Sequence, residues 1–145
     1  MPNPIPEGYH SVTPYLAVSD AAKLIDFLTN AFSAKLLGKM LGPTGRVAHA
    51  EMLIGDSIVM LGEPQSEAET RRAMLYLYVP DVDATYQRSL AAGAESTRAL
   101  TNQFYGDRNG AVRDPLGNEW FIATHVEDVS MEEMERRVAA QTVRS

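Results

Sequence analysis

The chain has 145 residues, 45% of them hydrophobic and 22% charged, which is typical of one soluble globular domain. Its formal net charge of -6 argues against a nucleic-acid partner, because phosphates are bound by basic surfaces. The absence of cysteine excludes disulfides and thiolate catalysis, and no apolar run approaches the roughly 20 residues of a membrane span. No secretory signal is visible at the N-terminus, so we expect a cytoplasmic protein without a membrane partner.

The first half of the chain has the pattern of a strand, a helix and three further strands. Ser19 or Asp20 can cap the helix, whose apolar residues recur at helical spacing. Gly55-Asp56 is a hairpin dipeptide between the last two strands. The predicted elements are a strand over Ser11–Val18, a helix over Ala21–Ala31, and strands over Lys35–Leu41, Arg46–Ile54 and Ser57–Leu61.

The second half repeats this order after a polar linker at about 63–73. Gly93 suits the end of its helix, and Ser130 with Glu133 forms a capping box for a last helix. The predicted elements are a strand over Met74–Val79, a helix from Asp81 or Asp83 through Leu90, a strand over Ala94–Leu100, a loop over Thr101–Gly110, strands over Ala111–Asp114 and Glu119–His125, and a C-terminal helix over Ser130–Gln141.

The two halves also share sequence. The segment from Tyr15 to Asp20 returns 61 residues later as the segment from Tyr76 to Asp81. A period this long indicates two copies of one βαβββ unit, at about 10–62 and about 74–125. Each copy is too small to fold stably alone, so we expect the two copies to pack together with a ligand site between them.

Strand alternation sorts the side chains by face. In Arg46–Ile54, Ala50 and Met52 belong to a small apolar face that suits packing under a helix, while His49 and Glu51 lie on the other face. The residues predicted on the cavity side of the other strands are Thr13, Tyr15, Ala17, Ser57, Val59, Leu61, Met74, Tyr76, Tyr78, Glu119, Phe121 and Ala123. Trp120 is expected under a helix, and His125 is expected to be structural or exposed.

Several motifs, in this order, resemble the vicinal oxygen chelate superfamily of glyoxalases, bleomycin resistance proteins and dioxygenases, and more narrowly its PhnB-like branch. They are Thr13-Pro14-Tyr15-Leu16, His49-Ala50-Glu51, Ile54-Gly55-Asp56-Ser57, Gln103-Phe104-Tyr105-Gly106-Asp107-Arg108, Val112-Arg113-Asp114-Pro115-Leu116-Gly117 and the segment from Ala123 to Ser130. The resemblance covers about residues 10–125. It implies an α+β fold in which two βαβββ modules form a curled sheet around a cleft, plus a C-terminal helix, and it implies a homodimer.

The superfamily's metal ligands come from the first and last strand of each module. Those positions correspond here to Thr13, Val59 (or Met60 if the register slips by one), Met74 and Phe121. None of these side chains is a plausible ligand for a divalent ion, which prefers imidazole or carboxylate. We therefore expect no metal at the usual site and no cofactor.

The leading hypothesis is a metal-independent protein that binds a small organic molecule in a tyrosine-lined cleft. The candidate ligand-binding residues are Tyr15, His49, Glu51, Val59, Met74, Tyr76, Tyr78, Phe104, Tyr105, Arg108 and Phe121. The tyrosines would form an aromatic wall, and the loop from Phe104 to Arg108 would close the cleft mouth, although Asp107 and Arg108 are equally consistent with bracing a turn.

His49 and Glu51 are the best polar pair and remain open to several roles. They could orient a ligand, act as a general base with its partner carboxylate, form half of a displaced metal site, or be a salt-linked pair on a solvated face. The alternative hypothesis is accordingly an enzyme of the isomerase, epimerase or lyase type that uses His49 or Glu51 as base. A dimeric scaffold with no small ligand is the third.

Overall fold

The computed structural model describes residues 2–144 and contains two βαβββ modules followed by a helix, as predicted. The α+β fold class is confirmed. The first module consists of β1 (Tyr15–Ala17), α1 (Ala21–Phe32), β2 (Lys35–Leu41), β3 (Val47–Ile54) and β4 (Ser57–Gly62). A short 3-10 turn at Glu67–Glu69 follows, and then β5 (Met74–Tyr78), α2 (Val82–Ala91), β6 (Glu95–Asn102), β7 (Asp107–Arg113), β8 (Glu119–His125) and α3 (Met131–Arg144).

The repeated aspartates begin the two module helices. Asp20 accepts a hydrogen bond from the backbone of Lys23 at 3.1 Å, and Asp81 does the same for Ala84 at 3.1 Å. Each carboxylate satisfies one of the free N–H groups of a first helical turn, which stabilises the helix by about 1 kcal/mol. Of the two candidates predicted for each helix start, Asp20 is the cap rather than Ser19, and Asp81 is the cap rather than Asp83.

Each module forms one four-stranded mixed sheet. The strand orders are β1-β4-β3-β2 and β5-β8-β7-β6, and the first and last strand of each module pair in parallel. The equivalent orders explain the sequence period, since both halves bury the same kinds of strand against their own helix.

The hydrophobic core joins the helix-bearing sides of both modules. α1 packs against α2, and the ring of Phe32 from α1 meets Trp120 of β8 edge-on at 4.9 Å. Trp120 is 2% exposed, which confirms its predicted place under a helix. Because the helices fill the space between the modules, the helix-free face of each sheet is directed away from this core.

These two helix-free faces carry the candidate site residues. The first open face is formed by Tyr15, Met40, His49, Glu51 and Met60. The second open face is formed by Met74, Tyr76, Tyr78, Asp107, Asn109, Phe121 and His125.

The last residues of the linker are hydrogen-bonded to both modules. The backbone N–H of Arg71 donates to the carbonyl of Ala17 in the first module at 3.0 Å. Two residues later, the backbone N–H of Ala73 donates to the side chain of Asn118 in the second module at 2.9 Å. The connection between the modules is therefore restrained by hydrogen bonds to each module only two residues apart.

The prediction that Val59 lies on the cavity side was wrong. The two-residue turn at Gly55-Asp56 pairs Ile54 with Ser57 and Met52 with Val59, and paired residues share a face. Val59 is therefore in the core, 3% exposed, and Met60 takes its place on the first open face.

The predicted loop over Thr101–Gly110 was also wrong. β6 runs to Asn102 and β7 begins at Asp107, so only Gln103–Gly106 form a turn. Asp107 and Asn109, which fall within the predicted loop, instead alternate along a strand and meet other polar groups on its open side. The first strand is shorter than predicted, since it begins at Tyr15.

Within residues 2–144, no helix is long and apolar enough to cross a bilayer.

Candidate functional site

The first open face brings together three of the predicted site residues. The Nε2 atom of His49 lies 3.5 Å from Oε1 of Glu51, and the ring centres of Tyr15 and His49 are 5.9 Å apart. The His49 and Glu51 side chains are about one third exposed, which leaves both accessible to a ligand.

The N-terminal segment covers part of this face. The hydroxyl of Tyr9 is buried, and among the described residues it has no hydrogen-bond partner of good geometry. Burial and the nearby Glu51 carboxylate raise the pKa of Tyr9 to about 12. The phenol therefore stays protonated, beside a carboxylate, at neutral pH.

A polar network occupies one end of the second open face. Its centre is Asp107, 3% exposed, whose Oδ2 atom accepts hydrogen bonds from the hydroxyls of Tyr76 at 2.6 Å and Tyr78 at 2.8 Å. Asn109 donates to the hydroxyls of Tyr76 and Tyr105, at 2.9 and 2.8 Å. Three tyrosine hydroxyls are thus fixed by two buried side chains of β7.

The other oxygen of Asp107 binds an imidazole. Oδ1 lies 2.8 Å from Nδ1 of His125, while Nε2 of His125 lies 2.8 Å from the exposed carboxylate of Asp128. The bonds to Asp107 and Asp128 raise the pKa of His125, because both carboxylates favour the imidazolium form.

The bonds received by Asp107 also decide its charge. Burial by itself would raise the pKa of this carboxyl, but hydrogen bonds from Tyr76, His125 and Tyr78 outweigh it, so the pKa is lowered. Burial and the bond to Asp107 in turn raise the pKa of Tyr76. At neutral pH the network therefore consists of one carboxylate and protonated phenols around it.

An apolar hollow lies at the other end of the second open face. It has a volume of about 240 Å³ and is lined by Met74, Leu75, Tyr76 and Phe121. The rings of Tyr76 and Phe121 are nearly parallel, at 6°, with centres 5.9 Å apart. Tyr76 belongs to both the hollow and the polar network, so a ligand resting in the hollow reaches hydrogen-bonding groups at one side.

The predicted site residues thus fall into separate groups. Tyr15, His49 and Glu51 share the first open face, whereas Met74, Tyr76, Tyr78 and Phe121 share the second. Among the described residues, no hydrogen bond, ion pair or ring contact joins these two groups, and α1 packs against α2 between the modules.

Three predicted site residues in the turn after β6 and at the start of β7 have separate roles. Arg108 is directed to the helix side of its sheet, where Nε lies 2.8 Å from Oδ1 of Asp83 in α2. Tyr105 reaches the polar network, whereas the carbonyl of Phe104 accepts a hydrogen bond from Arg137 of α3 at 2.9 Å. The turn is therefore fixed to the C-terminal helix.

Sequence reasoning missed Asp107, Asn109 and His125 as parts of the network. Asp107 was predicted either to belong to a loop that closes the cleft mouth or to brace a turn, and His125 was predicted to be structural or exposed. The signal that could have found them is the alternation of Asp107 and Asn109, which puts two polar side chains on one face of a strand beside Tyr76 and Tyr78.

The donor chemistry does not fit the superfamily's usual metal site. Thr13, Met60, Met74 and Phe121 offer no imidazole or carboxylate at the four positions. Among residues 2–144, moreover, no three His, Cys, Asp or Glu side chains are grouped so as to hold a metal ion.

The comparisons with known proteins agree with this fold and define the family. The model of the glyoxalase/bleomycin resistance protein/dioxygenase superfamily matches residues 8–122, and the chain belongs to that superfamily. An uncharacterized protein of Mycobacterium bovis is 37% identical over 142 residues, which cover 90% of this chain and 93% of the relative.

Solved structures give the same class. TioX from Micromonospora sp. ML1 is similar with a TM-score of 0.70 and 28% identity, over 81% of this chain and 99% of TioX. The PhnB protein from Bacillus cereus is similar with a TM-score of 0.65 and 17% identity, over 79% of this chain and 99% of that protein. The resemblance predicted from the sequence motifs is confirmed.

Proposed function

We propose that this protein binds a small organic molecule on the second open face, without a metal ion. The observation that carries the proposal is the apolar hollow of Met74, Tyr76 and Phe121 next to a network of fixed polar groups. Small-molecule sites commonly combine an apolar surface with a few positioned polar groups in this way.

The rigidity of the site supports binding. Tyr76 is fixed through its hydroxyl by Asp107 and Asn109, and its ring lies parallel to Phe121. A site whose side chains are already ordered loses less conformational entropy when a ligand arrives.

We further propose that a second copy of the chain covers the open faces. Large apolar side chains are exposed there, with Met40 at 67%, Met74 at 68% and Tyr78 at 60%. β2 is an edge strand whose seven residues are all exposed, and such a strand is a template for association. A homodimer would remove the exposed apolar side chains and the β2 edge from water and close the hollow.

We also propose a cytosolic location, which is consistent with the lack of cysteine.

Binding is tested with the neutral fluorescent probe phenylnaphthylamine. We expect fluorescence enhancement with the wild-type protein and a several-fold weaker affinity in Phe121→Ala, because the variant removes one wall of the hollow. Tyr15→Ala is the matched control, since it removes an exposed ring from the first open face. Loss of binding in Tyr15→Ala with none in Phe121→Ala would place the ligand on the wrong face for this proposal.

The dimer is tested by light scattering coupled to size exclusion. We expect twice the chain mass for the wild type and a single-chain mass for Met40→Lys, which puts a charge on the first open face. Lys23→Gln, an exposed change on α1, is the control and should remain dimeric. A wild-type protein that elutes as a single chain at every concentration would contradict the dimer.

The second candidate function is an enzyme with His49 or Glu51 as base. The supporting observation is that His49 and Glu51 are adjacent and partly exposed. This function predicts that the NMR spectrum of a ligand incubated with the protein shows conversion to a product. Glu51→Gln should stop this conversion while the ligand still binds.

A further inference from the structure

One arginine lies beside the apolar hollow without a carboxylate partner. The guanidinium carbon of Arg98 is 5.5 Å from the ring centre of Phe121. Among the described residues, the side chain of Arg98 forms no hydrogen bond and no ion pair. Arg108, Arg113, Arg136 and Arg137 are by contrast each within ion-pair distance of an aspartate or glutamate.

The backbone of β6 is irregular where it presents this side chain. The register of β6 against β7 shifts on both sides of Arg98, between Ser96 and Arg98 and again between Arg98 and Thr101. Arg98 is paired with Ala111, which is in turn paired with Phe121. Bulges of this kind re-aim side chains near functional sites, and here they flank a cation directed onto the second open face.

The hollow and Arg98 together match one kind of ligand. Met74, Tyr76 and Phe121 offer apolar contact to a flat ring system, and about 240 Å³ suits a molecule of two or three rings. A carboxylate on that ring would lie within reach of the Arg98 guanidinium and form a charge-assisted hydrogen bond. The chain carries a net charge of -6, so a local cation is needed to hold an anion at this surface.

An acidic group on the same face is bonded to Thr97 and would orient such a ligand. Glu119 lies two residues before Phe121 on β8, and its carboxylate accepts a hydrogen bond from Thr97 at 2.8 Å. The negative charges of Glu119 and of Asp107 lie on either side of Phe121 along the face. An anionic group is therefore repelled from both ends and directed to the β6 side, where Arg98 lies.

We infer that the second open face selects aromatic carboxylates, with the ring on Phe121 and Tyr76 and the carboxylate on Arg98. This inference rests on the proposed function, because it names the ligand class of the same site.

Calorimetry with a matched pair of probes tests it: a naphthalene carboxylate and the corresponding naphthalene carboxamide, which have the same shape and differ in charge. We expect the wild type to bind the carboxylate about fivefold to tenfold tighter than the amide. This preference should fall to about onefold in Arg98→Gln and decrease with added salt, because the guanidinium is exposed. Arg136→Gln removes the same charge from α3 and should retain the preference.

The outcomes separate the two levels of the proposal. If the amide binds the wild type as tightly as the carboxylate, or if Arg98→Gln retains the preference, selection of anions by Arg98 is wrong. If, in that case, both probes bind the wild type and neither binds Phe121→Ala, the proposed small-molecule site is still supported. If neither probe binds and phenylnaphthylamine shows no enhancement, both the ligand class and the proposed function are overturned.

Discussion

The Nδ1 atom of His125 lies 2.8 Å from the Oδ1 atom of Asp107. The Asp107 side chain is almost fully buried, whereas the His125 side chain is 48% exposed. A buried carboxylate thus fixes the orientation of an imidazole whose other nitrogen faces the surface. His125 is consequently the group on the second open face whose charge changes closest to neutral pH.

His125 should make the stability of the protein depend on pH above neutrality. Because folding raises the pKa of this imidazole, its contribution is fully present below the ordinary histidine pKa of about 6.5 and is lost as pH rises through the higher folded value. Denaturant titrations of wild type and His125→Gln should therefore converge at alkaline pH. NMR titration should show the pKa of His125 falling toward its ordinary value in Asp107→Asn. An unchanged pKa would mean that Asp107 does not act on the ring.

Asp107→Asn should destabilise the protein by about 1–3 kcal/mol. The amide has the same shape as the carboxylate, which accepts hydrogen bonds from Tyr76, Tyr78 and His125. The NH₂ group of the amide cannot accept a hydrogen bond, so at least one of these donors loses its partner. Asp128→Asn is the control, because its side chain is fully exposed, and we expect a change within about 0.5 kcal/mol. Equal losses in the two variants, measured by urea denaturation, would contradict the central role of Asp107.

Gly106→Ala should lower the free energy of unfolding by about 2 kcal/mol or more. Gly106 has a φ of +100°, and an added Cβ would clash with the carbonyl oxygen of Glu127. Gly45→Ala separates the two causes, since Gly45 has a φ of +84° with open space around it and should lose only about 1 kcal/mol. Thermal unfolding of the two variants gives the comparison. If Gly45→Ala loses as much as Gly106→Ala, the close approach of Gly106 to Glu127 costs nothing.

Phe32→Ala should destabilise both modules together, by about 3–5 kcal/mol. Phe32 is 7% exposed and packs against Phe27 in its own module and Trp120 in the other. Trp120 fluorescence and far-UV circular dichroism should report a single coincident transition in wild type and variant. Phe121→Ala, on an open face, is the control and should lose less. Two separate transitions in the wild type would show that the modules unfold independently.

The parts of the fold that depend on local chemistry could be predicted from the sequence. Asp20 and Asp81 cap helices because a short carboxylate can reach the free N–H groups of its own helix, wherever the rest of the chain lies. The alternation of Ala50 and Met52 with His49 and Glu51 likewise follows from strand geometry alone.

The site depends on how strands pair, which the residue pattern of a single strand does not show. Val59 was placed on the wrong face because its strand was assigned without applying the pairing that the Gly55-Asp56 turn imposes. Asp107 and Asn109 fall within the predicted loop over Thr101–Gly110, but they belong to β7. Their burial is tolerated because Tyr76, Tyr78 and His125 of other strands, and Tyr105 of the preceding turn, form hydrogen bonds with them.

The tight crossing between the modules has a consequence for stoichiometry. The backbone of Arg71 is hydrogen-bonded to the first module and the backbone of Ala73 to the second. These bonds restrict the angle between the two open faces. In a twofold symmetric dimer the two chains have the same surroundings, so one hollow cannot be closed while the equivalent hollow stays open. The proposed dimer would therefore take up two ligands in identical surroundings, and a change that loosens the crossing would impair both sites at once.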